Sequence, residues 1–115
     1  MTRTAGPGAV WMVVTTLPDE AQAQALGRSL VEDGLAACAQ IERLHSVYRW
    51  QGAVETADEA RLTLKTSAAR REALQAALLA RHPYDVPQLI AMACDDADAG
   101  YARWVADCTA ASGRT

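Results

Sequence analysis

Residues 10–34 read VWMVVTTLPDEAQAQALGRSLVEDG, and the change of period inside this stretch decides the fold. Val10 to Thr16 is β-branched and apolar with little alternation, the pattern of a central strand covered on at least one face. The pattern breaks at Leu17-Pro18-Asp19-Glu20. Proline is tolerated in the first turn of a helix, where its missing N–H would have had no partner, and two carboxylates there complement the positive end of the dipole. The helix predicted to follow carries Ala23, Leu26, Leu30 and Val31 on one stripe, and Gly34 stands where a left-handed residue would end it.

Working outward, Leu35 to Ile41 (LAACAQI) is again short and apolar, and Ser46 to Trp50 (SVYRW) is rich in β-formers. Together they predict one long strand, interrupted around Glu42-Arg43-Leu44-His45. Gln51-Gly52 offers a tight reversal. From Ala60 the residues alternate, with Ala60, Leu62 and Leu64 set against Arg61, Thr63 and Lys65, as in a half-buried strand with one polar face. Thr66-Ser67 is predicted to cap a second helix bearing Leu74, Ala77, Leu78 and Arg81, which Pro83 ends at or before His82. Leu89 to Cys94 (LIAMAC) reads as the last strand, with Pro87 at its mouth. Asp98 is then placed to cap a short helix with Tyr101, Trp104, Val105 and Cys108 on one face. The order predicts an α+β, ferredoxin-like βαββαβ sandwich with an extra C-terminal helix. Its helices would cover one face of an antiparallel sheet and leave the other for a partner.

A chain of 115 residues accommodates one core. The expected organisation is a flexible N-terminal arm over 1–9 and a single domain over 10–112. The opening MTRTAGPG is polar and lacks the apolar centre of a signal peptide, and no stretch holds the ~18 apolar residues of a membrane span. A cytoplasmic protein without a membrane partner is expected. The net charge of −3 supplies no basic footprint, which argues against nucleic acid as a partner. Half the residues are apolar, yet the chain has no Phe and leans on alanine, so a monomeric core would be thin and burial between subunits would help. Cys38, Cys94 and Cys108 form an odd set without CxxC spacing, which points to reduced thiols rather than disulfides or structural zinc. Asp95, Asp96 and Asp98 lack the Gly and terminal Glu of a calcium loop.

Two short segments carry chemistry. In SVYRW, Tyr48 and Trp50 share a strand face with Arg49 on the other, which suits packing at an interface and an aromatic wall to a subunit cleft. In His82-Pro83-Tyr84 an imidazole is held at a helix end beside a phenol. Neutral imidazole is a common metal ligand, which makes His82 the best ligand candidate, while a histidine at a helix C-terminus is also stabilised by the dipole alone. Asp19, Glu20, Glu55, Asp58, Glu59 and Lys65 default to solvated surface.

The segments VVTTLPDEAQAQALGRSLVEDGLAACAQI, SVYRWQGAVE, LTLKTSAARREAL, RHPYDVPQLIAM and YARWV, in order over residues 10–108, are similar to the CutA divalent-cation-tolerance family. The resemblance implies a ferredoxin-like protomer, a homotrimer like the PII signalling proteins, and a role in tolerance of divalent metals, copper above all, with no catalytic reaction. It also implies an intersubunit cleft drawing on Asp19, Tyr48, Trp50, Lys65, His82 and Tyr84. Copper ligands in the family include a Cys in the first strand and consecutive histidines before Pro-Tyr. Here Thr15 and Arg81 stand at those positions. The expectation is therefore weak copper(II) binding through His82 and no obligatory cofactor. Cys38, in LAAC, matches a family position and is a second, weaker metal candidate, although strand alternation favours a packed thiol. The alternative function is a PII-like signalling trimer that binds a small anionic ligand between subunits in the field of Lys65, Arg49 and His82. An enzyme built on Cys38 and His82 would lack an orienting partner, so a non-enzymatic protein is expected.

Overall fold

The computed structural model describes residues 8–110. Its elements are β1 (Val10–Leu17), α1 (Glu20–Glu32), β2 (Cys38–Trp50), β3 (Ala53–Ser67), α2 (Arg71–Arg81), β4 (Ile90–Ala93) and α3 (Ala99–Cys108). The strands pair antiparallel in the order β2-β3-β1-β4, the ferredoxin-like arrangement with a C-terminal helix added. The arm expected over 1–9 lies outside the described residues except for its last two positions, as do positions 111 and 112 of the expected domain.

Strand alternation divides the sheet into two unlike faces. Val13, Thr15 and Leu17 of β1 stand opposite Leu64, Leu62 and Ala60 of β3, and all six are buried. Except for Thr15, they join Ala23, Leu26 and Leu30 of α1 and Leu74 and Leu78 of α2 in one core cluster. Met12, Val14 and Thr16 point the other way, with Arg61, Thr63, Ile90 and Met92, along a face that α1 and α2 do not cover.

Local chemistry explains where α1 begins and ends. The Asp19 carboxylate accepts the Gln22 amide at 2.8 Å, satisfying one of the orphan donors of the first turn. At the other end Gly34 takes φ 71, and the amides of Gly34 and Leu35 bond back to the carbonyls of Val31 and Leu30 as in a Schellman motif. The buried stripe contains Gly27, whereas the expected Val31 is only partly buried. The helix rides so close to the sheet that a Cβ on Gly27 would stand 2.9 Å from Ala39 Cβ and 3.0 Å from Leu62 Cδ1. Glycine has no apolar side chain to announce itself, so periodicity alone passes over it.

The structure corrects several boundaries. β2 begins at Cys38 rather than Leu35, because the amides of Leu35 and Ala36 bond back to the end of α1, and runs unbroken through Glu42–His45 for 13 residues, while β3 starts at Ala53, well before the alternation at Ala60. Leu17 pairs with Ala60, so rows Leu44↔Glu59 to Trp50↔Ala53 extend past the end of β1 as a two-stranded arm. With no helix above it, the arm has no buried face to impose an alternating pattern. Thr66 and Ser67 remain in β3 and do not cap α2. The Thr66 hydroxyl donates to the Leu35 carbonyl at 2.7 Å and Ser67 accepts from Thr109 at 2.9 Å, so tertiary partners take both groups. β4 is one residue shorter at each end than LIAMAC. Of the expected α3 face only Val105 is buried, against Val10 and Ala37, while Tyr101, Trp104 and Cys108 are exposed.

The arm turns at Gln51 (φ 49) and Gly52 (φ 83), the two left-handed positions of a type I′ hairpin. Val47 and Val54 near its tip are 65% and 63% exposed, and Tyr48 and Trp50 are also open. An isolated two-stranded ribbon is marginal in water, so an arm with these side chains calls for a surface to lie on.

The Gly27 contact yields the first prediction. Gly27→Ala gains up to about 1 kcal/mol of helix propensity but overpacks a rigid strand at a cost of about 1–3 kcal/mol. The expected net loss is about 1 kcal/mol, read as a lower urea midpoint at unchanged slope, and Gly27→Val should lose more. A rise in midpoint for both variants would mean that the helix can lift off the sheet without cost.

Candidate functional site

The site is built around the C-terminus of α2. Pro83 cannot continue the helix, so His82 takes extended backbone (φ −77, ψ 139) at the C-cap. Arg81, just before it, donates to Asp33 at 2.8 Å and to the Ser29 hydroxyl at 3.0 Å, tying the ends of α1 and α2 together. The His82 ring reaches back to β1, with Nε2 2.9 Å from the Thr15 hydroxyl and 3.0 Å from the Thr16 carbonyl. Nδ1 accepts the Tyr84 amide at 3.1 Å. Because Nδ1 is an acceptor, the hydrogen-bond network puts the proton of the neutral ring on Nε2, directed at the Thr16 carbonyl. Burial lowers the pKa of His82 below the usual 6.5, outweighing the Thr16 carbonyl and the charge of Glu59, which both favour the charged form.

Tyr84 packs its ring 5.1 Å from that of His82 and donates its hydroxyl to Glu59 of β3 at 2.9 Å. Burial, followed by the Glu59 carboxylate, pushes the phenol up to about 12, and Tyr48 and Asp19 are near enough to oppose its ionisation further. Asp19, Tyr48, Glu59, His82 and Tyr84 thus gather where α1 begins and the arm leaves the sheet. Beside them lies a groove of about 440 Å³ lined by Pro18, Asp19, Glu20, Arg43, Asp58 and Glu59 among others. Arg43 is paired with Glu20 at 2.6 Å across it, and His45 with Asp58 at 2.8 Å.

Of the six cleft residues named from the sequence, His82 and Tyr84 touch in one protomer, with Asp19 and Tyr48 near enough to act on the Tyr84 phenol through their charge. The other two lie apart: Trp50 at the arm tip, and Lys65 opposite Cys38 at the far end of the sheet, where its ammonium donates to Gln40 at 2.6 Å. Cys38 is 3.6 Å from the Tyr101 hydroxyl, with no imidazole beside it. Among the described residues no three of His, Cys, Asp and Glu converge as a metal-ligand set. Glu59 and Thr15 emerge as partners of the site. Thr15 had a signal, a polar residue at an inward strand position. Glu59 had none, because its contact spans 25 residues.

The lowered pKa of His82 carries a pH prediction. A base held neutral in the folded state leaves the unfolded chain binding more protons between the folded pKa and 6.5. Its stabilising contribution is thus fully present above about pH 6.5 and is lost as pH falls through 6.5 toward the lower folded value. Melting temperatures between pH 7.5 and 5.5 should fall for the natural protein. The slope should be shallower in His82→Gln; equal slopes would place the titrating group elsewhere.

Residues 11–108 match the model of the CutA1 divalent ion tolerance protein family. The divalent-cation tolerance protein CutA of Pectobacterium atrosepticum is 35% identical over 95 residues, covering 82% of this chain and 86% of that protein. Among solved structures, CutA from Synechococcus elongatus PCC7942 superposes with a TM-score of 0.87 at 32% identity, covering 93% of this chain and 95% of its own. CutA from Xylella fastidiosa does so with 0.84 at 36%, covering 87% and 97%. With nearly the whole of each chain aligned, one fold shared and over a third of residues identical in the Xylella comparison, the chain belongs to the CutA1 divalent ion tolerance protein family.

Proposed function

We propose that this protein serves tolerance of divalent cations as a non-enzymatic homotrimer, and that copper(II) engages it only weakly, chiefly at His82. The observation that carries the reading is the state of the imidazole. It is neutral, as a ligand must be, yet Nδ1 accepts the Tyr84 amide and Nε2 faces Thr15 and Thr16. A metal ion has to displace one of these bonds, and Arg81 next door adds a positive charge. The coordination it gains is thin, since Thr15 offers only a hydroxyl and the nearest carboxylate, Glu59, is held by Tyr84. Tolerance then rests on what the assembly does rather than on a tight metal store. The three free cysteines are in keeping with a reducing, cytoplasmic setting.

The homotrimer is supported by two apolar surfaces of one protomer, the arm tip with Val47, Tyr48, Trp50 and Val54, and the uncovered sheet face with Ile90 and Met92. Each is the kind of surface a soluble protein buries on association. In a PII-like reading, Lys65, Arg49 and His82 of different protomers would share one anion; within one protomer they occupy the sheet end, the arm and the α2 terminus, so only the assembly could bring them together.

A competitive copper(II) titration at neutral pH is expected to give a dissociation constant no tighter than about 1 µM, with His82→Ala losing most of the binding. Binding should also fade as pH falls through the lowered folded-state pKa of the ring, beneath the usual 6.5. Nanomolar affinity that survives His82→Ala would move the ligands elsewhere, with Cys38 the first to examine. Sedimentation at micromolar concentration should give three protomers, and Trp50→Ala should weaken assembly by about 2 kcal/mol or more. A monomer in the natural protein would end the trimer reading.

A further inference from the structure

Beyond the last row of β1, Leu17↔Ala60, the sheet continues as the two-stranded arm, and the root of that arm is held from both faces. Arg43 stands opposite Ala60, a core residue, so it shares the helix-covered face, and there its guanidinium meets Glu20 in the first turn of α1 at 2.6 Å. Glu59 is the next residue along β3 and points the other way, in the first row that β1 no longer reaches. The Tyr84 hydroxyl donates to it at 2.9 Å. Tyr84 lies in the loop between α2 and β4 and is itself anchored: its amide donates to His82 Nδ1 at 3.1 Å, its ring packs 5.1 Å from the imidazole, and the imidazole lies against Thr15 and Thr16 of β1. The loop thus forms a bracket from the central strand to the arm root.

We infer that Tyr84 and Glu59 are positioning residues for assembly: their hydrogen bond, with the Glu20–Arg43 pair as a weaker second tie, aims the arm of one protomer at the angle at which its tip meets a second copy of this chain. The inference rests on the homotrimer reading above and adds to it the contacts inside one protomer on which docking depends. Leverage is the reason. The stretch from Leu44 to Trp50 reaches ~20 Å at ~3.3 Å per residue, so a tilt of ~10° at the root carries the tip by roughly 3 Å. Interstrand twist varies by more than that in two-stranded ribbons, and packed contacts are forfeited by gaps of ~1 Å. Val47, Trp50 and Val54, exposed near the tip, are therefore presented in one place only if the root is fixed, and an arm already aimed loses less freedom on association. The two ties are unequal. The bond to Glu59 ends on a carboxylate and is part-buried, whereas the Arg43 and Glu20 side chains are 83% and 45% exposed, where an ion pair contributes little. His45–Asp58 and Arg61–Glu42 join β2 to β3 within the sheet, so they stiffen the ribbon without aiming it.

The test is sedimentation equilibrium of the full-length protein over a range of concentrations, together with amide hydrogen exchange on protein diluted to the dissociated protomer. Tyr84→Phe, which removes one hydroxyl, should weaken association by about tenfold per subunit, and Arg43→Met by about twofold. Glu59→Gln keeps a carbonyl acceptor and should retain most of the natural affinity. Glu59→Ala should match Tyr84→Phe, and the two losses should not add when combined. In Tyr84→Phe, exchange should quicken over residues 44–59 while the amides of α1 and α2 keep their protection, which separates aiming of the arm from a general loss of stability. A natural protein that is monomeric at micromolar concentration would end the trimer reading and this inference with it. A trimer whose affinity is unchanged in Tyr84→Phe, equal losses in Glu59→Gln and Glu59→Ala, or lost protection throughout α1 and α2 would each overturn the assignment and leave the trimer reading standing.

Discussion

A hydroxyl on the core-facing side of β1 sets much of the architecture around it. Thr15 is fully buried in a row of apolar residues, where an unpaired hydroxyl would cost about 1–3 kcal/mol. The Nε2–H of His82 points at the neighbouring Thr16 carbonyl at 3.0 Å with the Thr15 hydroxyl 2.9 Å away, and because His82 is the cap of α2, this contact pins the end of that helix to the central strand. The remaining nitrogen of the ring then takes the Tyr84 amide, which starts the following loop and delivers the phenol to Glu59. One imidazole set against β1 thus links residues 66 and 67 positions apart to the geometry of the whole cluster.

The same constraint governs what the imidazole can do. A histidine that closes a structural network is held neutral and oriented, and each nitrogen is already in use. Chemical suitability as a ligand and availability as a ligand part company here.

Packing explains why one face is sealed and the other open. Gly27 lets α1 approach the sheet to van der Waals contact, and Leu74 and Leu78 seat α2 beside it, so the helix-covered layer is dense although the chain has no Phe. α3 covers only the end of the far side through Val105. What is left uncovered, with the arm that projects beyond β1, is apolar surface that a single protomer has no means of burying.

The order and type of every element were legible in the sequence, because periods of 2 and 3.6, Pro18 with two carboxylates at a helix start, Asp98 as a cap, Gly34 as a stop and Pro83 as a breaker are local signals, whereas the capping role of Asp19 came from the structure. His82 and Tyr84 could be singled out from the His-Pro-Tyr pattern and Tyr48 from SVYRW, whereas Asp19 was singled out only through the family resemblance. The full length of the arm, the tertiary use of Thr66 and Ser67, the close seating at Gly27 and the contact of Tyr84 with Glu59 were decided only by the folded chain. So was the separation of Lys65 and Trp50 from the cluster. These depend on strand register and helix seating, which bring together residues tens of positions apart, and no local pattern encodes which distant partner a polar group will meet.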